Sequence, residues 1–132
     1  FDKVGEDLRI CFAHGGGSFA FWVGRMDNAW RERNDVIGTS ALEPSQYLGR
    51  FYVDSVVFDE RALRLLVDTI GRDRVVVGSD YPYPLGERPA GGLVRGASVV
   101  DEHTRRMILR ENAETLLGLN AANSMANKEK SA

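Results

Sequence analysis

Two short apolar runs, each ending abruptly on a polar side chain able to do chemistry, constrain this sequence most. Val75-Val76-Val77-Gly78 passes into Ser79-Asp80-Tyr81-Pro82, and Ile10-Cys11-Phe12-Ala13 passes into His14 and the glycines Gly15 to Gly17. Apolar runs that do not alternate suit strands covered on both faces, as in parallel sheets. A helix-sized segment follows each of them. This arrangement points to an α/β enzyme with its site at the C-terminal ends of the strands.

The segments between repeat the theme. Phe19, Trp22, Val23, Met26 and Trp30 fall at helical spacing and predict an amphipathic helix, with Ser18 as its N-cap and Arg25 off the apolar stripe. Residues 31–49 contain Gly38, Pro44 and Gly49 and read as a long loop with at most one short helical turn. Phe51 to Phe58, rich in aromatic and β-branched residues, is the next strand. Asp59 is placed to cap the helix after it, Leu63, Leu66, Val67 and Ile70 form that helix's stripe, and Gly71 ends it. Val75 to Gly78 is the third strand, followed by a Pro- and Gly-rich loop from Tyr81 to Gly92. A helix opening at Asp101 and Glu102 agrees with the helix dipole. A second, capped by Asn112, is expected to bury Leu116 and Leu117. Residues 121–132 lack periodicity and are expected to form a disordered tail after a domain spanning residues 1–120. Three strand–helix alternations call for a parallel sheet with crossover helices, in a barrel or an open sheet.

Composition narrows the function classes. A net charge of −2 leaves no basic stripe for nucleic acid. No apolar run reaches the roughly 18 residues of a membrane span. The single cysteine, Cys11, lies in an apolar run, so a buried, inert thiol and a reducing, cytoplasmic setting are expected.

Several side chains are candidates for chemistry. His14 is either a core histidine bonded to backbone or a general base or metal ligand; the three glycines after it allow a substrate or a backbone to come close and favour the second role. His-Gly-Gly-Gly also suits the oxyanion hole of an esterase, but the chain has no Gly-x-Ser-x-Gly elbow to accompany it. Asp80 either caps a turn or, at a rigid strand tip, ligates a divalent metal. Asp54, within a strand, is a hydrogen-bonded partner or a support for the site. Arg25 is a surface arginine, or a fork that grips a carboxylate if it faces a cleft. Tyr83 and Leu85 either line a pocket or simply pack, and His103 reads as a solvated surface residue.

Taken together, Cys11-Phe12-Ala13-His14-Gly15-Gly16-Gly17-Ser18-Phe19, the pair Gly24-Arg25, and Gly78-Ser79-Asp80-Tyr81-Pro82-Tyr83-Pro84-Leu85-Gly86-Glu87 closely resemble the amidohydrolase-related, metal-dependent decarboxylases. Arg110-Glu111-Asn112-Ala113 and Leu116-Leu117-Gly118 resemble that family's closing helix. The resemblance implies about the last three β/α units of a (β/α)8 TIM barrel that binds one zinc ion. By the same resemblance Asp80 is a metal ligand, His14 the catalytic histidine that deprotonates the metal-bound water, and Tyr83 and Leu85 line the substrate pocket. It implies a homodimer in which Arg25 reaches the neighbouring subunit's site and grips a carboxylate of a small dicarboxylate substrate, which loses CO2 without redox change. The family's His-x-His pair and its further histidine ligand have no counterpart in this sequence, so they are expected in a missing N-terminal half, and the isolated chain is expected to be inactive. The alternatives are another aromatic-acid decarboxylase or hydrolase of the superfamily, or a non-catalytic assembly piece.

Overall fold

A computed structural model describes residues 8–35 and 40–119 of the chain. Three parallel strands, β1 (Cys11–Phe12), β2 (Tyr52–Asp54) and β3 (Val75–Val76), pair in sequence order. Cys11 faces Tyr52 and Phe12 faces Val53; Val53 in turn faces Val75 and Asp54 faces Val76. A doubly wound open sheet reverses its strand order at a switch point. Here successive strands are simply neighbours, and the crossover helices α1 (Phe19–Glu32) and α2 (Glu60–Ile70) touch each other, as in one arc of a (β/α)8 barrel.

Helix α2 forms as its sequence requires. Asp59 stands in extended backbone, and its carboxylate accepts the amides of Arg61 (2.8 Å) and Ala62 (3.3 Å). Leu63, Leu66 and Ile70 are buried, and Gly71 ends the helix at a φ of 106°. They join Phe51, Val53, Val75, Val94, Ala97, Val100 and Ile108 in one apolar core. Burying Leu63 and Val53 completely is worth about 1.5–3 kcal/mol each, so β2 and α2 anchor the structure.

The remaining expectations are corrected by tertiary partners. The strands are shorter than their apolar runs: β1 and β3 each have a partner on one side only among the described residues, and β2 covers only Tyr52–Asp54 of the expected Phe51 to Phe58. Cys11, on the singly paired β1, is exposed rather than buried. Ser18 precedes α1 but makes no side-chain cap; its backbone is not extended, and its carbonyl instead accepts the amides of Phe21 and Trp22. The stripe of α1 is only half covered, with Trp22 exposed and Ala20 and Asp27 buried in its place. Asp27 is drawn inward by the Ser45 amide at 2.9 Å, which ties α1 to a short 3-10 turn over Pro44–Tyr47.

After the short helix α3 (Gly92–Gly96), one helical stretch runs from α4 (Glu102–Arg106) through a π-turn (Met107–Glu111) into α5 (Asn112–Leu117). Asp101 caps it by accepting the Thr104 amide at 2.7 Å. Asn112 is therefore interior to the stretch and caps nothing. Its buried side-chain amide donates to the carbonyls of Arg72 (2.8 Å) and Val75 (2.7 Å), pinning the stretch to β3. Ile108, in the π-turn, accepts the Val77 amide at 2.9 Å. Leu117 is exposed, contrary to expectation, and Leu116 is half-buried. The expected tail, residues 121–132, lies outside the described residues.

Candidate functional site

The carboxyl ends of β1 and β3 carry His14 and Asp80. Two strands separated by a third lie about 10 Å apart in a sheet, yet His14 Nε2 sits 3.2 Å from Asp80 Oδ1. Both residues curl over β2 because both hold left-handed backbone, with φ of 57° at His14 and 58° at Asp80. Such a conformation costs a non-glycine residue about 1–3 kcal/mol. The His14 side chain is 62% exposed, and an ion pair so open to water returns only about 0–1 kcal/mol. The pair therefore does not hold the loops; the loops hold the pair.

What holds them can be read residue by residue. On the β1 side, the Gly15 amide donates to Asp54 Oδ1 at 2.9 Å, and the Gly16 and Gly17 amides close a 3-10 turn onto Ala13 and His14. A methyl group at Gly15 would lie 2.7 Å from Val57 and 3.0 Å from Leu66, so the loop rests directly on the core. Gly15 and Gly16 thus serve close approach to this chain's own side chains, whereas Gly17 has open space beside it. On the β3 side, a methyl group at Gly78 would lie 2.7 Å from Val56 and 2.8 Å from the Asp54 side chain. The loop after it closes through the Glu87 amide on the Ser79 carbonyl (2.8 Å) and the Tyr83 amide on the Asp80 carbonyl (2.9 Å). The Glu87 carboxylate accepts the amides of Gly91 and Leu93, both at 2.6 Å, fastening the loop to the start of α3.

Among the described residues, no side chain of the other candidates is hydrogen-bonded to the pair. Tyr83 lines a groove of about 550 Å³ with Ser79, Tyr81, Glu87 and Arg88, whereas Leu85 is 81% exposed at the loop's apex. Arg25, on the exposed side of α1, stacks over the Trp22 ring at 5.5 Å and makes no hydrogen bond to His14 or Asp80. His103 is exposed, as expected. Partial burial, followed by the charge of Asp54, raises the Cys11 pKa even though solvent reaches the residue; the thiol is not the buried group expected. Asp54, expected as a hydrogen-bonded partner or a support for the site, and Glu87, which spacing alone does not single out, brace the two loops. Each is a carboxylate accepting two backbone amides.

Among the described residues, no group of three or more histidine, cysteine, aspartate or glutamate side chains gathers to hold a metal. A catalytic zinc typically takes three protein ligands. His14 and Asp80 offer fewer, so the described residues do not by themselves fit such an ion. No described helix is long and apolar enough to cross a membrane.

Parallel strands in sequence order, an outer layer of touching helices and polar groups gathered at the strand ends define a partial TIM barrel of the amidohydrolase type. The chain belongs to the amidohydrolase family, whose profile matches residues 5–119. It is 43% identical over 114 residues to the 2-amino-3-carboxymuconate-6-semialdehyde decarboxylase of Dictyostelium discoideum, covering 86% of this chain and 32% of that protein. The chain therefore spans about a third of the length of this curated relative. Its fold matches 5-carboxyvanillate decarboxylase of Sphingomonas paucimobilis (TM-score 0.72, 29% identity, 83% of this chain and 33% of the other). It matches equally the dihydroxybenzoic acid decarboxylase of a Polaromonas species, solved with manganese and the inhibitor 2-nitroresorcinol (TM-score 0.72, 25% identity, 86% and 34%).

Proposed function

We propose that this chain supplies part of the active site of a metal-dependent decarboxylase that converts 2-amino-3-carboxymuconate 6-semialdehyde to 2-aminomuconate 6-semialdehyde. The observation that carries the reading is the convergence of His14 and Asp80 to 3.2 Å from two strand ends. The similarity to the Dictyostelium decarboxylase supports the choice of substrate. In such a reaction the bond to the carboxylate carbon breaks, its electron pair stays on the conjugated carbon, and a proton takes the place of CO2. His14, open to solvent and held by Asp80, is the group that carries this proton at Nε2. Asp80 is one ligand of a metal ion, zinc in our reading, whose other ligands come from outside these 132 residues. Tyr83 and Leu85 face the substrate, and Arg25 of one subunit grips a substrate carboxylate in its neighbour's site within a homodimer. The isolated chain is inactive because its donor set is incomplete.

The test is a chimaera in which residues 5–119 replace the matching segment of the Dictyostelium relative, assayed by loss of the substrate's near-ultraviolet absorbance. His14→Ala and Asp80→Asn should each lower the rate at least about a hundredfold, the usual scale for removing a general acid–base group. A folded, metal-loaded chimaera whose rate ignores both substitutions would overturn the reading. The fold's likeness to 5-carboxyvanillate decarboxylase favours a second reading, decarboxylation of an aromatic acid, and turnover of that acid in preference to the semialdehyde would select it.

A further inference from the structure

We infer that Asp54 is the positioning residue that sets the His14–Asp80 pair. Its meaning for catalysis rests on the decarboxylase reading above; the positioning itself does not.

Asp54 closes β2, the strand between those that bear the pair. One carboxylate oxygen, Oδ1, accepts the amide of Gly15 (2.9 Å), the residue after His14, and the amide of Val56 (3.1 Å) on its own chain. The same side chain lies under Gly78, two residues before Asp80, so closely that a methyl group there would sit 2.8 Å from its Cβ and 2.9 Å from its Cγ. One side chain thus touches both loops, each within two residues of the group it presents. The Ser55 hydroxyl, next in sequence, accepts the Gly78 amide at 3.3 Å and reinforces the second contact.

An exposed His–Asp pair is too weak to fix two strained loops, so the constraint comes from below. A carboxylate accepting backbone amides makes charge-assisted hydrogen bonds, roughly twice as strong as neutral ones. An asparagine at position 54 keeps the shape and an acceptor oxygen, whereas an alanine keeps neither.

The experiment uses the 132-residue chain labelled with 15N, which carries only two histidines, so the His14 ring is identified by its loss in His14→Ala. The expected result is a Gly15 amide protected from exchange and a His14 ring nitrogen that shifts when Asp80 is changed to Ala. Asp54→Asn should retain both behaviours. Asp54→Ala should speed Gly15 exchange by about tenfold or more, the consequence of losing a hydrogen bond of this kind, and should abolish the response of His14 to Asp80→Ala. Unchanged Gly15 protection and an unchanged His14 response in Asp54→Ala would overturn the inference. If Asp54→Ala unfolds, which the protection of Val53 and Leu63 amides reveals, Asp54→Asn decides: loss of the His14 response in a folded Asp54→Asn chain refutes the proposal, and its retention supports it. Failure of the decarboxylase reading is distinct, since it appears as an inactive chimaera with these resonances unaltered.

Discussion

Replacing the glycines of the His14 loop one at a time separates backbone strain from packing. Gly17, at φ 64° and ψ −132°, holds a backbone region that is essentially glycine's own, with open space where a Cβ would go, so Gly17→Ala incurs backbone strain alone, about 1–3 kcal/mol. Gly15, at φ 62° and ψ 19°, lies in the ordinary left-handed region, where a side chain costs about 1–2 kcal/mol, but its added methyl meets Val57 at 2.7 Å and Leu66 at 3.0 Å. Val57 is β-branched and stiff at χ1, and Leu66 is buried in the core, so neither clears freely. Overpacking of this kind adds about 1–3 kcal/mol, which brings Gly15→Ala to about 2–5 kcal/mol. Gly24, in the middle of α1 with open space around it, is the internal control; Gly24→Ala should stabilise the chain by about 0.5–1 kcal/mol. Urea unfolding followed by far-ultraviolet circular dichroism reads the series. With an m-value of about 1.5 kcal/mol/M, a 3 kcal/mol loss lowers the midpoint by about 2 M. A cost at Gly15 no greater than the left-handed penalty of about 1–2 kcal/mol would refute the claim that the loop rests on Val57 and Leu66.

Asn112→Ala should destabilise the chain by about 1–3 kcal/mol in the same assay, because it removes the buried side-chain donor to the carbonyls of Arg72 and Val75. Stability should also fall in acid. The Arg61 guanidinium, followed by the Arg61 amide, holds Asp59 down from 3.8 to about 2. A carboxylate depressed in the folded state stabilises it above the unfolded value, and that contribution is lost as pH falls through 3.8 toward about 2. Asp101, held low by the Thr104 amide, acts in the same direction. Thermal unfolding followed from about pH 5 to 2 should show the decline, and Asp59→Asn should flatten it if the assignment is right.

The sequence was most legible where structure is decided locally. Asp59 and Gly71 bound α2, and the Leu63–Leu66–Ile70 stripe is its buried face, because capping and helical period act within a few residues. The pairing of His14 with Asp80 was foreshadowed by their shared setting at strand ends, although 66 residues separate them. Asp54 and Asn112 were harder to read, for one physical reason. A polar side chain inside an element advertises neither its partner nor its depth. Asp54 finds an amide 39 residues upstream, and Asn112 two carbonyls 37 and 40 residues away. Cys11 and Trp22 failed in the opposite sense. Their apolar neighbours implied burial, but β1 is an edge strand and the stripe of α1 is only half covered among the described residues.

Arg25 admits the sharpest remaining test. It lies on the exposed side of α1, over the Trp22 ring, and makes no hydrogen bond to the pair its own chain presents. As proposed above, this guanidinium reaches the site of another subunit; the alternative is a role within its own. Subunit mixing distinguishes the two possibilities. In the chimaera, Arg25→Ala and His14→Ala should each be nearly inactive as homodimers. In a heterodimer of the two, the subunit with an intact His14 receives its arginine from the other, so one site of the pair is restored. Random exchange in an equimolar mixture makes half the dimers mixed, and a two-fold assembly with arginine acting across the interface recovers roughly a quarter of the parent activity. Arginine acting within its own subunit recovers none, because every site then lacks either His14 or Arg25. Activity that fails to return after verified subunit exchange would eliminate the shared-site arrangement, while leaving the assignments of His14 and Asp80 untouched.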